Sequence, residues 1–139
     1  MRKSWAMASY QIGAKREETL EVASENAITF LGLDGPRMLS TPQMILHMER
    51  VSRNLILPML DSGHDTLGTH VNVSHSSGAP IGSTVVFAAE LLAVNDRRAE
   101  FRVEARRGEK VVGEGTHQRA IVDIARLREK MKQNNPGIG

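Results

Sequence analysis

Hydrophobic and polar positions change their period twice along this chain. Between residues 40 and 60, Met44, Met48, Val51, Leu55 and Met59 fall on one side at about 100° per residue. Ile45, Ser52 and Ile56 widen that side, and His47, Arg50, Arg53 and Asn54 lie opposite. Ser40 or Thr41 can cap the first turn, and Pro42 sits where its missing N–H is harmless. Gln43, three residues after Ser40, completes a possible capping box. Pro58 disfavours helical geometry at Leu57. The spacing therefore predicts one long helix over 41–58.

After Gly63 the period drops to two. Leu67, Thr69, Val71, Val73 and His75 share one face of a predicted strand, with His70, Asn72 and Ser74 on the other. Gly78-Ala79-Pro80 is a turn, and Ser83 to Val94 reads as a long apolar strand. Past the tight connection Asn95-Asp96-Arg97, the residues Ala99, Phe101, Val103 and Ala105 alternate with charged ones. Arg107-Gly108-Glu109 turns the chain back into a last strand, Lys110 to Val122. There Gly113, Gly115, His117 and Arg119 share a face, and the two glycines predict close approach of another element.

Upstream of the helix, Glu18 to Ala23 is a short predicted strand. Ser24 to Leu39 is irregular; it carries Ile28, Phe30, Leu31 and Leu33, so parts of it are expected to cover something apolar. Asp123 can cap an amphipathic C-terminal helix running to about Lys132. The order strand, helix, four strands is α+β: an antiparallel sheet with one helix laid across a face. The expected organisation is a flexible lead-in over 1–14, one domain over 15–133 and a tail over 134–139.

Composition narrows the classes of function. The chain has 139 residues, 40% hydrophobic and 24% charged, as in an ordinary globular domain. With 4% aromatics, aliphatic residues and Met must build the core. No apolar run approaches a membrane span, and no signal peptide is evident, so a cytoplasmic protein without a membrane partner is expected. The absence of Cys fits a reducing compartment and removes Cys-ligated zinc. The net charge of +2 is small and the basic pairs have acidic neighbours, which argues against nucleic acid.

No metal is expected either. His70 and His75 are an odd number of residues apart in a strand and point to opposite faces, and no His-Glu-x-x-His helix exists. Phosphate-cradling glycine loops and a Gly-x-Ser-x-Gly nucleophile elbow are also missing. What remains is Glu49 at the border of the helix's apolar arc, His75 closing an inward strand face, and Thr41 at the helix N-terminus. Each has a plain structural reading: a boundary carboxylate reaching water, a satisfied core histidine, a helix cap. Each also has a chemical one. A carboxylate and an imidazole brought to one half-buried place do general-base work or orient a nucleophile.

Thr41-Pro42 with Glu49, the run Thr66 to His75, Pro80-Ile81-Gly82 and Gly115-Thr116-His117-Gln118-Arg119 together resemble the fluoroacetyl-CoA thioesterase family of the hotdog fold, over roughly residues 15–130. The resemblance implies a five-stranded antiparallel sheet wrapped around the long helix, with a short C-terminal helix. It implies hydrolysis of a small or medium acyl-CoA without any cofactor, in a homodimer whose sites lie at the subunit interface. It assigns Thr41, Glu49 and His75 as catalytic, Gly68 as a glycine whose backbone faces the thioester, and Arg119 as a substrate-site arginine. Gly32 and Gly35 stand where the fluoroacetyl-specific member carries aromatic lid residues, so a mobile loop and no fluoroacetyl selectivity are expected. The alternative is a non-catalytic hotdog module that binds acyl-CoA or a protein.

Overall fold

A computed structural model of the protein describes residues 10–134. The ends of the expected lead-in and tail, 1–9 and 135–139, lie outside the described residues. Five strands form one antiparallel sheet: β1 (Lys15–Glu21), β2 (His64–His75), β3 (Thr84–Asn95), β4 (Arg98–Arg107) and β5 (Lys110–Asp123). Their spatial order is β1-β3-β4-β5-β2, so β2 is an edge strand and does not pair with β3, its successor in sequence. The long helix α1 (Thr41–Ile56) crosses one face, and α2 (Ile124–Asn134) follows β5.

The core is the meeting of two periodicities. Met44, Met48, Val51, Ser52, Leu55 and Ile56 of α1 are buried, on the side that the 3.6-residue period selects. They face Val85, Phe87, Ala89 and Leu91 of β3, and Phe101, Val103 and Ala105 of β4, all buried. A single 3-10 turn at Leu57–Met59 ends α1 where Pro58 requires it. Asp123 Oδ1 accepts the Arg126 N–H and caps α2. The first strand runs over Lys15–Glu21 rather than 18–23, because Lys15 to Glu21 pairs with Glu90 to Thr84 and draws the polar Lys15-Arg16-Glu17 into the ladder. Just before it, the Gly13 N–H donates to Leu91 O at 2.8 Å, and Tyr10 packs on the core.

The capping box at the start of α1 forms by half. Ser40 Oγ accepts the Gln43 N–H at 3.3 Å. Gln43 Oε1, however, accepts from Asn26 Nδ2 at 2.9 Å, and the Ser40 N–H donates to Asn26 O. Asn26, buried beside the helix start, thus ties the irregular segment to α1.

That irregular segment has a fixed base. Its Ile28 N–H donates to Met38 O, and Arg37 donates to Ile28 O, Ala27 O, Ser24 O and Ser24 Oγ. Within one chain the expected covering role falls to its ends, where Ala27 and Leu39 are buried and Ile28 half-buried, while Phe30, 79% exposed, and Leu33, 74% exposed, project from the tip.

Candidate active site

Thr41 and His75 come together as expected, at the N-terminal end of α1 and the last residue of β2. Thr41 Oγ1 lies 2.7 Å from His75 Nδ1. Ser40 supplies the cap, which releases the Thr41 hydroxyl for this bond. Thr41 is exposed and His75 half-exposed, so the pair opens to the surface of the chain.

His75 reaches that place through an irregularity the alternation did not reveal. The β2–β5 register shifts between Gly68 and His70: Gly68 pairs with Arg119, His70 with Gln118 and Val71 with His117. The extra residue changes the parity of the strand. Thr66 and Gly68 before it share the helix-facing side with Val73 and His75 after it. Leu67 and Thr69 are therefore not on the His75 face, a correction to the face read from the sequence. Leu67 is instead 47% exposed.

Glu49 sits at the border of the buried arc, next to buried Met48, with its side chain 35% exposed. Its Oε2 is 3.5 Å from Arg119 Nη1 and 4.0 Å from His117 Nε2. A Cβ added at Gly68 would collide with that same Oε2. Gly68 thus provides the space into which the carboxylate fits. Arg119 is buried and held firmly: its Nε donates to Thr66 Oγ1 at 2.7 Å and its Nη2 to Thr66 O at 3.0 Å. Burial pushes the guanidinium pKa down, and the Glu49 carboxylate pulls it back up. The glycines on the same face of β5 behave as their spacing predicts, since a Cβ at Gly113 would lie 2.5 Å from Met44 Sδ.

The five expected residues therefore form two groups, Thr41–His75 and Glu49–Gly68–Arg119. Thr41 and Glu49 are eight residues apart, about 12 Å along a helix axis, and among the described residues no hydrogen bond joins the groups. His117 and Thr66 belong to the second group, and neither is a candidate site residue from the sequence alone. The two-residue alternation already placed His117 beside Arg119. Its nearly complete burial, 2% exposed, is a property of the packed sheet.

The architecture, the helix-borne carboxylate and the Thr–His pair define a hotdog-fold protein with thioesterase-type groups. The sequence profile described as fluoroacetyl-CoA-specific thioesterase matches residues 22–125. A fluoroacetyl-CoA thioesterase from Streptantibioticus cattleyicolor is 36% identical over 101 residues, 73% of each chain. A solved structure of the fluoroacetyl-CoA thioesterase FlK superposes with a TM-score of 0.81 at 28% identity, covering 89% of this chain and 96% of that one. A thioesterase superfamily member from Thermus thermophilus gives a TM-score of 0.82 at 26% identity, over 91% and 94% of the two chains. The chain belongs to the fluoroacetyl-CoA-specific thioesterase family. Among the described residues, no helix is long and apolar enough to cross a membrane.

Proposed function

We propose that the protein is a cytoplasmic acyl-CoA thioesterase that acts on short or medium acyl groups as a homodimer. Family membership supports the reaction type, and the Cys-free sequence supports the compartment. The observation that carries the reading is the 2.7 Å bond between Thr41 Oγ1 and His75 Nδ1, made by a threonine that does not serve as the cap.

The dimer reading rests on β2. It is an edge strand, twelve residues long, with Leu67 47% and Val71 43% exposed. Such an edge is an aggregation liability unless it is paired, and a two-fold axis through it pairs it with its own copy. A second copy also accounts for the separation of the two groups. Each site then takes Thr41–His75 from one protomer and Glu49, Gly68 and Arg119 from its partner.

In such a site, His75 Nδ1–H donates to Thr41 Oγ1 and leaves the hydroxyl proton free to meet the thioester carbonyl oxygen. Glu49 takes a proton from water as the water oxygen bonds to the carbonyl carbon. The carbonyl oxygen becomes an oxyanion held by Thr41. Its collapse breaks the C–S bond, and the CoA thiolate leaves and takes up the proton. The thiolate is a good leaving group, so modest preorganisation suffices.

The substrate reading rests on the tip before α1. A Cβ at Gly35 would lie 2.6 Å from Leu31 O, so this turn excludes a side chain where the selective relative has a lid. An open, apolar approach tolerates different chains, and each further buried methylene adds about 0.8 kcal/mol of binding. The test is kcat/KM for acetyl-, fluoroacetyl-, butyryl- and hexanoyl-CoA, followed by thiol release. Rising values from acetyl to hexanoyl are expected. No thiol from any of them overturns the enzymatic reading in favour of a binding module, and a large fluoroacetyl preference overturns the substrate reading.

A further inference from the structure

The second group contains a buried imidazole to which the reaction above gives no task. His117 Nδ1 lies 2.8 Å from His70 O, an acceptor, so Nδ1 carries the proton. Arg119 Nη1 lies 3.1 Å from His117 Nε2. A guanidinium can only donate, so Nε2 must present its lone pair. The two bonds fix one state, the neutral Nδ1–H tautomer. The His70 carbonyl that selects it lies at the register shift of β2, where the strand changes parity. Thr66 holds the Nε and Nη2 ends of Arg119, and His117 holds the Nη1 end. Nη1 is also the nitrogen that faces Glu49 Oε2.

We propose that His117 is a positioning residue for hydrolysis: as the neutral Nδ1–H tautomer it fixes Arg119 Nη1 against Glu49, and its protonation disconnects the carboxylate from that support. The inference rests on Glu49 being the catalytic carboxylate. An imidazolium at His117 cannot accept from Arg119. It faces that cation at hydrogen-bond distance and offers Glu49 a competing ion pair from 4.0 Å. The charged groups facing the ring are Glu49 from α1 and Arg119 from its own strand. β2 presents the His70 carbonyl, and β4 presents the Phe101 ring at 6.1 Å. Burial, with Arg119 beside it, lowers the His117 pKa below the ordinary 6.5, so the neutral form persists into mildly acidic solution.

The tautomer is read first, on substrate-free protein, by nitrogen-15 NMR of the imidazoles across pH. The expected result is Nδ1–H with bare Nε2 at neutral pH, and a protonation midpoint that matches the acid limb of kcat on butyryl-CoA. His117→Phe fills the volume without either bond. It should lower kcat by about tenfold or more while KM stays within about threefold, since the loss is in orientation rather than binding. His117→Gln, which can still accept from Arg119, should recover most of kcat and lose the acid limb attached to the imidazole. An Nε2–H tautomer, or a folded His117→Phe protein with wild-type kcat across the pH range, overturns the proposal. If His117→Phe does not fold, the tautomer and the His117→Gln pH profile decide it. A wild-type protein that shows the tautomer but releases no thiol refutes the thioesterase reading instead.

Discussion

Gly68→Ala moves the Glu49 carboxylate without altering its chemistry. An added Cβ overlaps Glu49 Oε2 and comes within 3.3 Å of His117 Cε1 and 3.4 Å of Arg119 Nη1. Gly68 is not among the positive-φ glycines, so its backbone accepts alanine. In a strand, alanine gains about 0.5–1 kcal/mol over glycine through the entropy of the unfolded chain. Overpacking opposes this by about 1–3 kcal/mol. Here the low end applies, because the colliding atom ends a flexible, half-exposed side chain that yields by rotating. The two terms nearly cancel, and Tm should shift by no more than about 4 °C for a domain of this size. Activity has no such compensation. To restore van der Waals contact the carboxylate must retreat by about 1 Å or more, and a misplacement of that size costs about a hundredfold in rate. Thermal melting and thiol release on the same preparation test both halves. Wild-type kcat/KM in folded Gly68→Ala protein would refute the placement of Glu49 over Gly68 as the working geometry.

Glu49→Ala should lower turnover by about a hundredfold, the usual scale for acid–base groups, and His75→Ala by about tenfold, because His75 acts through the Thr41 hydroxyl; either protein retaining full turnover while folded removes that residue from the chemistry. Thr41→Ala should cost about tenfold and leave the helix cap intact, because Ser40 provides it; an acyl adduct on Thr41 in quenched mass spectra would make it a nucleophile and contradict the water mechanism. Mixing Glu49→Ala with His75→Ala subunits should restore about a quarter of wild-type activity, since random exchange makes about half heterodimers with one intact site of two; no recovery after verified exchange means that each site draws both groups from one chain. Stability should also fall with pH below about 6.5, because His117 and His47 are both held below the ordinary histidine value, chiefly by burial. The unfolded chain binds the extra protons there, so this contribution is complete above that pH and lost beneath it. Urea denaturation at several pH values should show the slope, reduced in His117→Gln.

The sequence by itself determined whatever depends on period and on local stereochemistry. Met44, Met48, Val51 and Leu55 had to form one helical face. Ala99, Phe101, Val103 and Ala105 had to form one strand face, and all eight are buried together. Pro58 ended the helix, Gly113 made room for Met44, and Gly115 for the β2 backbone at Asn72 and Val73. The motif residues around Thr41, Glu49 and His75 indicated the family because their types and spacing lie within short segments. Tertiary structure decided the rest. That β2 lies beside β5 and not β3 is a choice among long-range pairings that alternation does not distinguish. The extra residue at the Gly68–His70 register shift exists only relative to a partner strand, and it moved Leu67 and Thr69 off the face that carries His75. Ser40 caps the helix, and the Thr41 hydroxyl found its partner only when a histidine 34 residues later in the chain came within 2.7 Å. The lone pair of His117 points at Arg119 because a carbonyl across the ladder claims the other ring nitrogen. A hydrogen-bond partner brought by another strand has no local signature, so such a tautomer is legible only once the sheet is assembled.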